Sequence, residues 1–258
     1  MRKVYLLPNI VTTGNMFFGF YSIVSAIHYD FLGAAWAIVI AGVFDMLDGR
    51  VARMTHTTSQ FGVEYDSMSD LISFGMAPSI LIYLWALEPM GRMGWLVAFL
   101  FLACAALRLA RFNIFSSVYS KSFFMGLPSP VAAGLIASFA LFRSEVQWPD
   151  DDVFRFFILG LSLGLGALMV STVPFPSFKE LNWKNRFSFG YLLIGLMVLV
   201  LVAIRPEVTM FLVASFYLGS SLIWNTWRLI KKQKERGVAI RRARRIRSRS
   251  TGGSSGPN

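Results

Sequence analysis

Long apolar runs separated by short polar or turn-forming breaks set the rhythm of the chain. They fall near residues 12–29, 32–54, 64–87, 93–115, 129–143, 154–174, 187–204 and 207–229. Most approach the roughly 18–25 residues that a helix needs to cross about 30 Å of hydrocarbon, the fifth being the shortest. The pattern predicts an all-α integral membrane protein with about eight transmembrane helices. The opening "MRKVYLLPNIVTTGN" has a charged start and a Pro-Asn break but no small-residue cleavage site, so residues 1–11 are expected to form an interfacial segment rather than a removable signal.

Eight spans put both termini on one side, and the basic residues agree. That side then holds 21 Lys/Arg, while the opposite side holds Arg92, Arg143, Arg155 and Arg205, which makes both ends cytoplasmic. The charged content, 15% against 55% hydrophobic residues, excludes an ordinary soluble domain. The net charge of +11 first suggests a nucleic-acid binder, but eleven Lys/Arg lie from Arg228 onward against one Glu, while residues 1–227 carry fourteen against thirteen acids. No nucleic-acid partner is expected. The cluster "RRARRIRSRS" reads instead as an anchor attracted to anionic membrane lipids. Residues 12–205 are expected to form the transmembrane catalytic core, 206–230 an additional C-terminal transmembrane helix, and 231–258 a basic, disordered cytoplasmic tail. Cys104 has no partner for a disulfide. "PDDD" at Pro149–Asp152 reads as a solvated helix start, and Gly160, Gly164 and Gly166 as a smooth face for another helix or a second subunit, hence an expected homodimer.

Against this apolar background, "DMLDGRVARMTHTTSQFGVEYDSMSD" places Asp45, Asp48, Asp66 and Asp70 in or beside spanning segments. Asp45 and Asp48 share a helix face, and at 100° per residue Gly49, Ala52 and Arg53 fall within about 80° of Asp45. Gly62, Asp66 and Asp70 recur every four residues along the next helix, which returns antiparallel. Four carboxylates would then share one small space near the interface. One arginine cannot neutralise them, so one or two divalent cations are expected; all-oxygen ligands favour Mg²⁺ or Mn²⁺, then Ca²⁺, over zinc. A hard cation beside glycines and an arginine suits an anionic diphosphate. Helix-capping aspartates would explain one or two of the four acids, and an ion or proton pathway would explain all four but not the small residues.

The arrangement Asp45-x2-Asp48-Gly49-x2-Ala52-Arg53-x8-Gly62-x3-Asp66-x3-Asp70 resembles the signature of the CDP-alcohol phosphatidyltransferase family, with every fixed position filled. The resemblance implies a six-helix core with additional C-terminal helices, and two Mg²⁺ or Mn²⁺ ions held by Asp45, Asp48 and Asp66 with Asp70 close by. Asp70 is implied as the general base that takes the proton from the acceptor hydroxyl. Gly49, Ala52 and Gly62 would give the nucleotide of CDP-diacylglycerol close access, and Arg53 would meet its diphosphate. Thr12 and Asn15 would line that site or cap the first helix. "RLARFN", "FMGLPSPVA" and "LPNIVTTGNMFFG" further resemble the branch whose acceptor is L-serine. The implied acceptor site includes Arg111 or Lys121 for the carboxylate, Asn113, and backbone carbonyls freed at Pro128 and Pro130 for the ammonium group. Acceptors such as glycerol phosphate or inositol, and a divalent-cation or proton transporter, are the competing expectations. The resemblance implies a cytoplasmic membrane of a bacterium or archaeon, with the site facing the cytoplasm.

Overall fold

The structure is a computed structural model that describes residues 6–54, 59–115, 123–176 and 204–225, with positions 195 and 197. The chain divides into two compact units, Met1–Phe216 and Tyr217–Asn258. The first contains α1 (Leu6–Ile27), α2 (Phe31–Met54), α3 (Gln60–Met90), α4 (Arg92–Phe115), β1 (Phe123–Met125), α5 (Ser129–Val146), α6 (Asp152–Val170) and β2 (Pro174–Pro176). A last helix, α7 (Pro206–Asn225), begins in the first unit. The described part of the second unit, residues 217–225, is helical, with the Ser220 hydroxyl donating to the Tyr217 carbonyl at 3.1 Å.

Among the described residues six helices, α1, α2, α3, α4, α6 and α7, carry stretches long and apolar enough to cross a membrane. The run expected near 187–204 falls outside the described residues except at 195, 197 and 204, as do residues 1–5 and the tail after 225. Residues 6–11, expected at the interface, already belong to α1. The strict all-helical expectation needs one correction. β1 and β2 pair antiparallel, Phe124 opposite Phe175, and the prolines at both ends of β2 lack the N–H groups that would extend the ladder.

Local chemistry explains the turns. Tyr29 takes a left-handed conformation at φ 61° and closes α1. Asp30 then caps α2 by accepting from the Gly33 N–H at 2.9 Å. In α3 the wide turn Leu71–Met76 precedes Pro78, whose ring and missing N–H disfavour a regular turn there. Asp151 accepts from the Phe154 N–H at 2.9 Å, so the expected helix start at "PDDD" is present. At that same end Arg143 lies 3.6 Å from the Phe154 ring centroid and also pairs with Asp150.

Helix α5 is the centre of the first unit. Ala132, Ala133, Leu135, Ile136, Ala137, Phe139, Ala140 and Leu141 are buried around most of its circumference, and α2 packs against it. A helix screened from lipid by its neighbours has no need of uniform hydropathy, which is why its run reads as the shortest in the sequence. Of the three glycines expected to form a packing face on α6, Gly166 sits against Cys104 of α4, while Gly160 and Gly164 have open space where a side chain would extend.

The chain reaches α5 through Gly126, at φ +82°, whose N–H donates to the Val173 carbonyl at 2.9 Å. A Cβ there would lie 2.8 Å from Arg111 Nη2 and 3.0 Å from the Ser171 carbonyl. Gly126→Ala is therefore expected to cost roughly 1–3 kcal/mol, from backbone strain together with displacement of Arg111. Gly134→Ala, in mid-helix with nothing within 4 Å of the added carbon, should be neutral or stabilising by up to about 1 kcal/mol. Thermal unfolding in detergent distinguishes them, and equal Tm values for the two variants would refute this account of the turn.

Candidate functional site

The last turns of α2 and the first turns of α3 bring the four aspartates together at one end of the bundle. Asp45, Asp48 and Asp66 each present a carboxylate oxygen within 4.8 Å of the others. Asp48 is buried, with 5% exposure, and among the described residues its Oδ2 has no hydrogen-bond partner; nor has the buried Oδ1 of Asp66. Two unit charges at such separations repel by roughly 3 kcal/mol at an effective dielectric of about 20. Asp70 stands within hydrogen-bonding reach of Asp45, a contact that two ionised carboxylates tolerate only with a cation or a shared proton between them. Unpartnered, buried, hard oxygen donors of this kind fit a bound metal ion, and Asp45, Asp48 and Asp66 could hold one.

Helix α1 forms the adjoining wall. Thr12 and Asn15 are both buried, and the Asn15 amide nitrogen donates to Asp70 Oδ1 at 3.1 Å while its own Oδ1 is left without a partner. Thr12 comes within hydrogen-bonding reach of Asp48. Two serines fasten α3 to this wall: Ser69 donates to the Thr12 carbonyl at 3.1 Å, and Ser73 to the Asn15 carbonyl at 3.0 Å. Gly19 permits the approach, since a Cβ there would fall 2.7 Å from Ser73 Cα.

The small residues of the motif line the opening. Gly49 and Ala52 are half-buried on α2. The Gly62 N–H donates to the helix-capping Ser59 at 3.0 Å, and its missing side chain would point towards Asn9 Oδ1, 3.7 Å away. Arg53 lies on α2, but its side chain is outside the described residues, as is all of Lys121.

Along α4 the two arginines part company. Arg111, expected at the acceptor carboxylate, donates to the carbonyls of Val170, Ser171 and Met169 at 2.8, 3.1 and 3.3 Å, closing the C-terminal end of α6. Asn113 donates to Ser67 Oγ at 2.9 Å and so ties α4 to the acid-bearing stretch of α3. The Pro128 carbonyl accepts from the N–H groups of Val131 and Ala132, and Pro130 sits in the first turn of α5, so both prolines serve the start of that helix. Arg108, absent from the expected site, is the arginine that turns inward. It is 8% exposed and donates to Ser129 Oγ at 2.8 Å. The signal was present in "RLARFN", but spacing alone did not say which arginine is buried.

Residues 5–173 match the sequence model of the CDP-alcohol phosphatidyltransferase family. The chain is also similar to proteins named CDP-diacylglycerol–serine O-phosphatidyltransferase. That of Helicobacter pylori is 37% identical over 230 residues, covering 89% of this chain and 93% of the relative. That of Bacillus subtilis is 33% identical over 183 residues, covering 70% and 96%. The protein of that name from Methanocaldococcus jannaschii is 33% identical over 182 residues, covering 70% and 78%.

If the acid cluster holds a divalent cation, Mg²⁺ or Mn²⁺ added to metal-stripped protein should raise Tm by several degrees. A ligand at a hundredfold excess over its Kd stabilises by about 2.7 kcal/mol. Asp48→Asn and Asp66→Asn should abolish that response. Each should leave the metal-free protein at least as stable as wild type, because a repelling charge has gone. An undiminished metal response in both variants would show that these oxygens are not ligands.

Proposed function

The chain belongs to the CDP-alcohol phosphatidyltransferase family, and on that premise we propose that it transfers the phosphatidyl group of CDP-diacylglycerol to L-serine, forming phosphatidylserine and CMP. The observation that carries the reading is the gathering of Asp45, Asp48 and Asp66, two of them with unpartnered buried oxygens, with Asp70 within hydrogen-bonding reach of Asp45. The shared name of the relatives supports serine as the acceptor. Asp45, Asp48, Asp66 and Asp70 would hold two Mg²⁺ or Mn²⁺ ions, which when bound neutralise the diphosphate and stabilise charge on the departing phosphate.

The chain's own residues supply the rest. Asp70, steadied by the Asn15 amide, takes the proton from the serine hydroxyl. The serine oxygen bonds to the lipid-bearing phosphorus, the phosphorus–oxygen bond to CMP breaks, and CMP leaves with the electron pair. Gly49, Ala52 and Gly62 let the nucleotide approach the helix backbones, with Thr12 and Asn15 lining the opposite wall and Arg53 meeting the diphosphate. The acyl chains remain in the bilayer while the headgroup reacts at the membrane face. The same reading puts the enzyme in the cytoplasmic membrane with its site towards the cytoplasm, the basic tail against anionic lipids, and a second subunit against the open Gly160–Gly164 face of α6.

Purified protein given CDP-diacylglycerol, Mn²⁺ or Mg²⁺ and labelled L-serine should release CMP only when all components are present. Release with inositol or glycerol phosphate in place of serine would overturn the acceptor. Asp70→Asn should lower kcat by about 10²–10⁴-fold, the usual contribution of a general base. Binding of CDP-diacylglycerol should persist in that variant, and loss of both together would make Asp70 a structural residue.

A further inference from the structure

We propose that Gly14 and Phe44 set the width of the aspartate cage and so tune it to a cation of Mg²⁺ size rather than to the larger Ca²⁺. The inference deepens the proposed function: it rests on the aspartates as cation ligands and is independent of the acceptor. Phe44 lies on α2, and its ring sits against Gly14 of α1. A Cβ at Gly14 would fall 2.6 Å from both Cδ1 and Cε1 of that ring, well inside van der Waals contact. The ring is held from a second side as well, its centroid 5.3 Å from that of Phe18 with the planes tilted by 33°. Close-packed interiors transmit strain rather than absorb it, so a side chain at position 14 moves α2 away from α1.

Position links this seat to the acids. Phe44 and Asp48 are four residues apart, so they lie one above the other on the face of α2 that meets α1, and Asp45 follows Phe44 directly. On another side α1 carries α3, fastened by Ser69 to the Thr12 carbonyl at 3.1 Å and by Ser73 to the Asn15 carbonyl at 3.0 Å. Gly19 permits that second approach, and at 100° per residue it lies about 140° around α1 from Gly14. Helix α1 is thus the spacer between the helix that bears Asp45 and Asp48 and the helix that bears Asp66 and Asp70. Its two glycine notches set the gap across which oxygens within 4.8 Å of one another close on an ion. Mg²⁺ demands oxygens at about 2.0–2.1 Å in a near-ideal octahedron, whereas Ca²⁺ accepts about 2.3–2.6 Å in looser geometry. A few tenths of an ångström of extra width therefore shifts the cage from the first ion towards the second. Gly14 and Phe44 touch neither ion nor substrate; they are positioning residues.

The test titrates metal-stripped, full-length protein in detergent with MgCl₂ and, separately, with CaCl₂, and takes each apparent affinity from the rise in Tm. The quantity compared is the ratio of Mg²⁺ to Ca²⁺ affinity, which a loss of stability by itself does not move. Gly14→Ala should weaken Mg²⁺ binding about tenfold or more, the usual effect of disturbing the support of a metal ligand, and Ca²⁺ binding much less. Phe44→Leu leaves Gly14 facing a gap into which α2 can shift, so the ratio should fall about threefold; this variant serves where Gly14→Ala folds poorly. In the double variant Gly14→Ala/Phe44→Leu the added methyl group occupies volume that the ring vacates, and the ratio should return to within about twofold of wild type. Gly134→Ala, with nothing within 4 Å of the added carbon, is the control for a glycine lost from a helix. Equal losses of both ions in the single variants would overturn the inference and make Gly14 and Phe44 packing residues only. An unchanged response in both would overturn it too, showing that the ring turns aside, and so would a double variant whose losses simply add. A wild type whose Tm responds to neither ion would overturn the aspartates as ligands and this inference with them. Serine failing as acceptor while the ratios behave as expected would overturn the acceptor alone and uphold the cage.

Discussion

Mutual repulsion among carboxylates in a medium that solvates them poorly is the constraint around which this protein is built. Asp45, Asp48, Asp66 and Asp70 repel one another when ionised, so the surrounding structure must hold them together. It does so from the α1 side with neutral groups. Ser69 and Ser73 fasten α3 to α1 through backbone carbonyls, Gly19 lets the two helices close, and Asn15 fixes one oxygen of Asp70. The result is a preformed set of oxygen donors, which lowers the reorganisation required when a cation arrives.

The same economy of charge governs α4. Two arginines lie three residues apart on α4 and make different contacts within the fold. Arg111 closes the end of α6 and requires the glycine at 126, because any side chain there would enter its space. Arg108 is buried and donates to Ser129 Oγ, while its Nε meets no acceptor among the described residues. The β1–β2 pairing and the turn at Gly126 carry the chain from the end of α4 to the start of α5, and so set Ser129 against Arg108. The central, alanine-rich α5 is thus both the packing core and the floor beside the reactive groups.

Much of this was legible beforehand. Spacings of three and four residues are properties of any helix, so the acids, the small residues between them and the hard-cation chemistry could be read from one stretch of 26 residues. Asn15 and Thr12 were expected near the site or at a helix cap, and the structure brings both to the aspartates. What spacing did not reveal was the set of contacts that some of these groups make within the fold. Arg111, Asn113 and Pro128, expected at an acceptor, also make hydrogen bonds that hold the fold, with the α6 carbonyls, Ser67 and the α5 N–H groups.

The sequence by itself determined which segments are apolar enough to cross a bilayer, where the acids lie on their helices and what chemistry they favour, because these follow from composition and the fixed pitch of a helix. Tertiary structure alone decided which of two neighbouring arginines is buried, which glycine admits a close approach, and that a helix of unremarkable hydropathy sits at the centre. Those outcomes depend on what each side chain meets across a helix interface. That contact is set by the rotation and packing of several helices at once, for which linear spacing carries no signal.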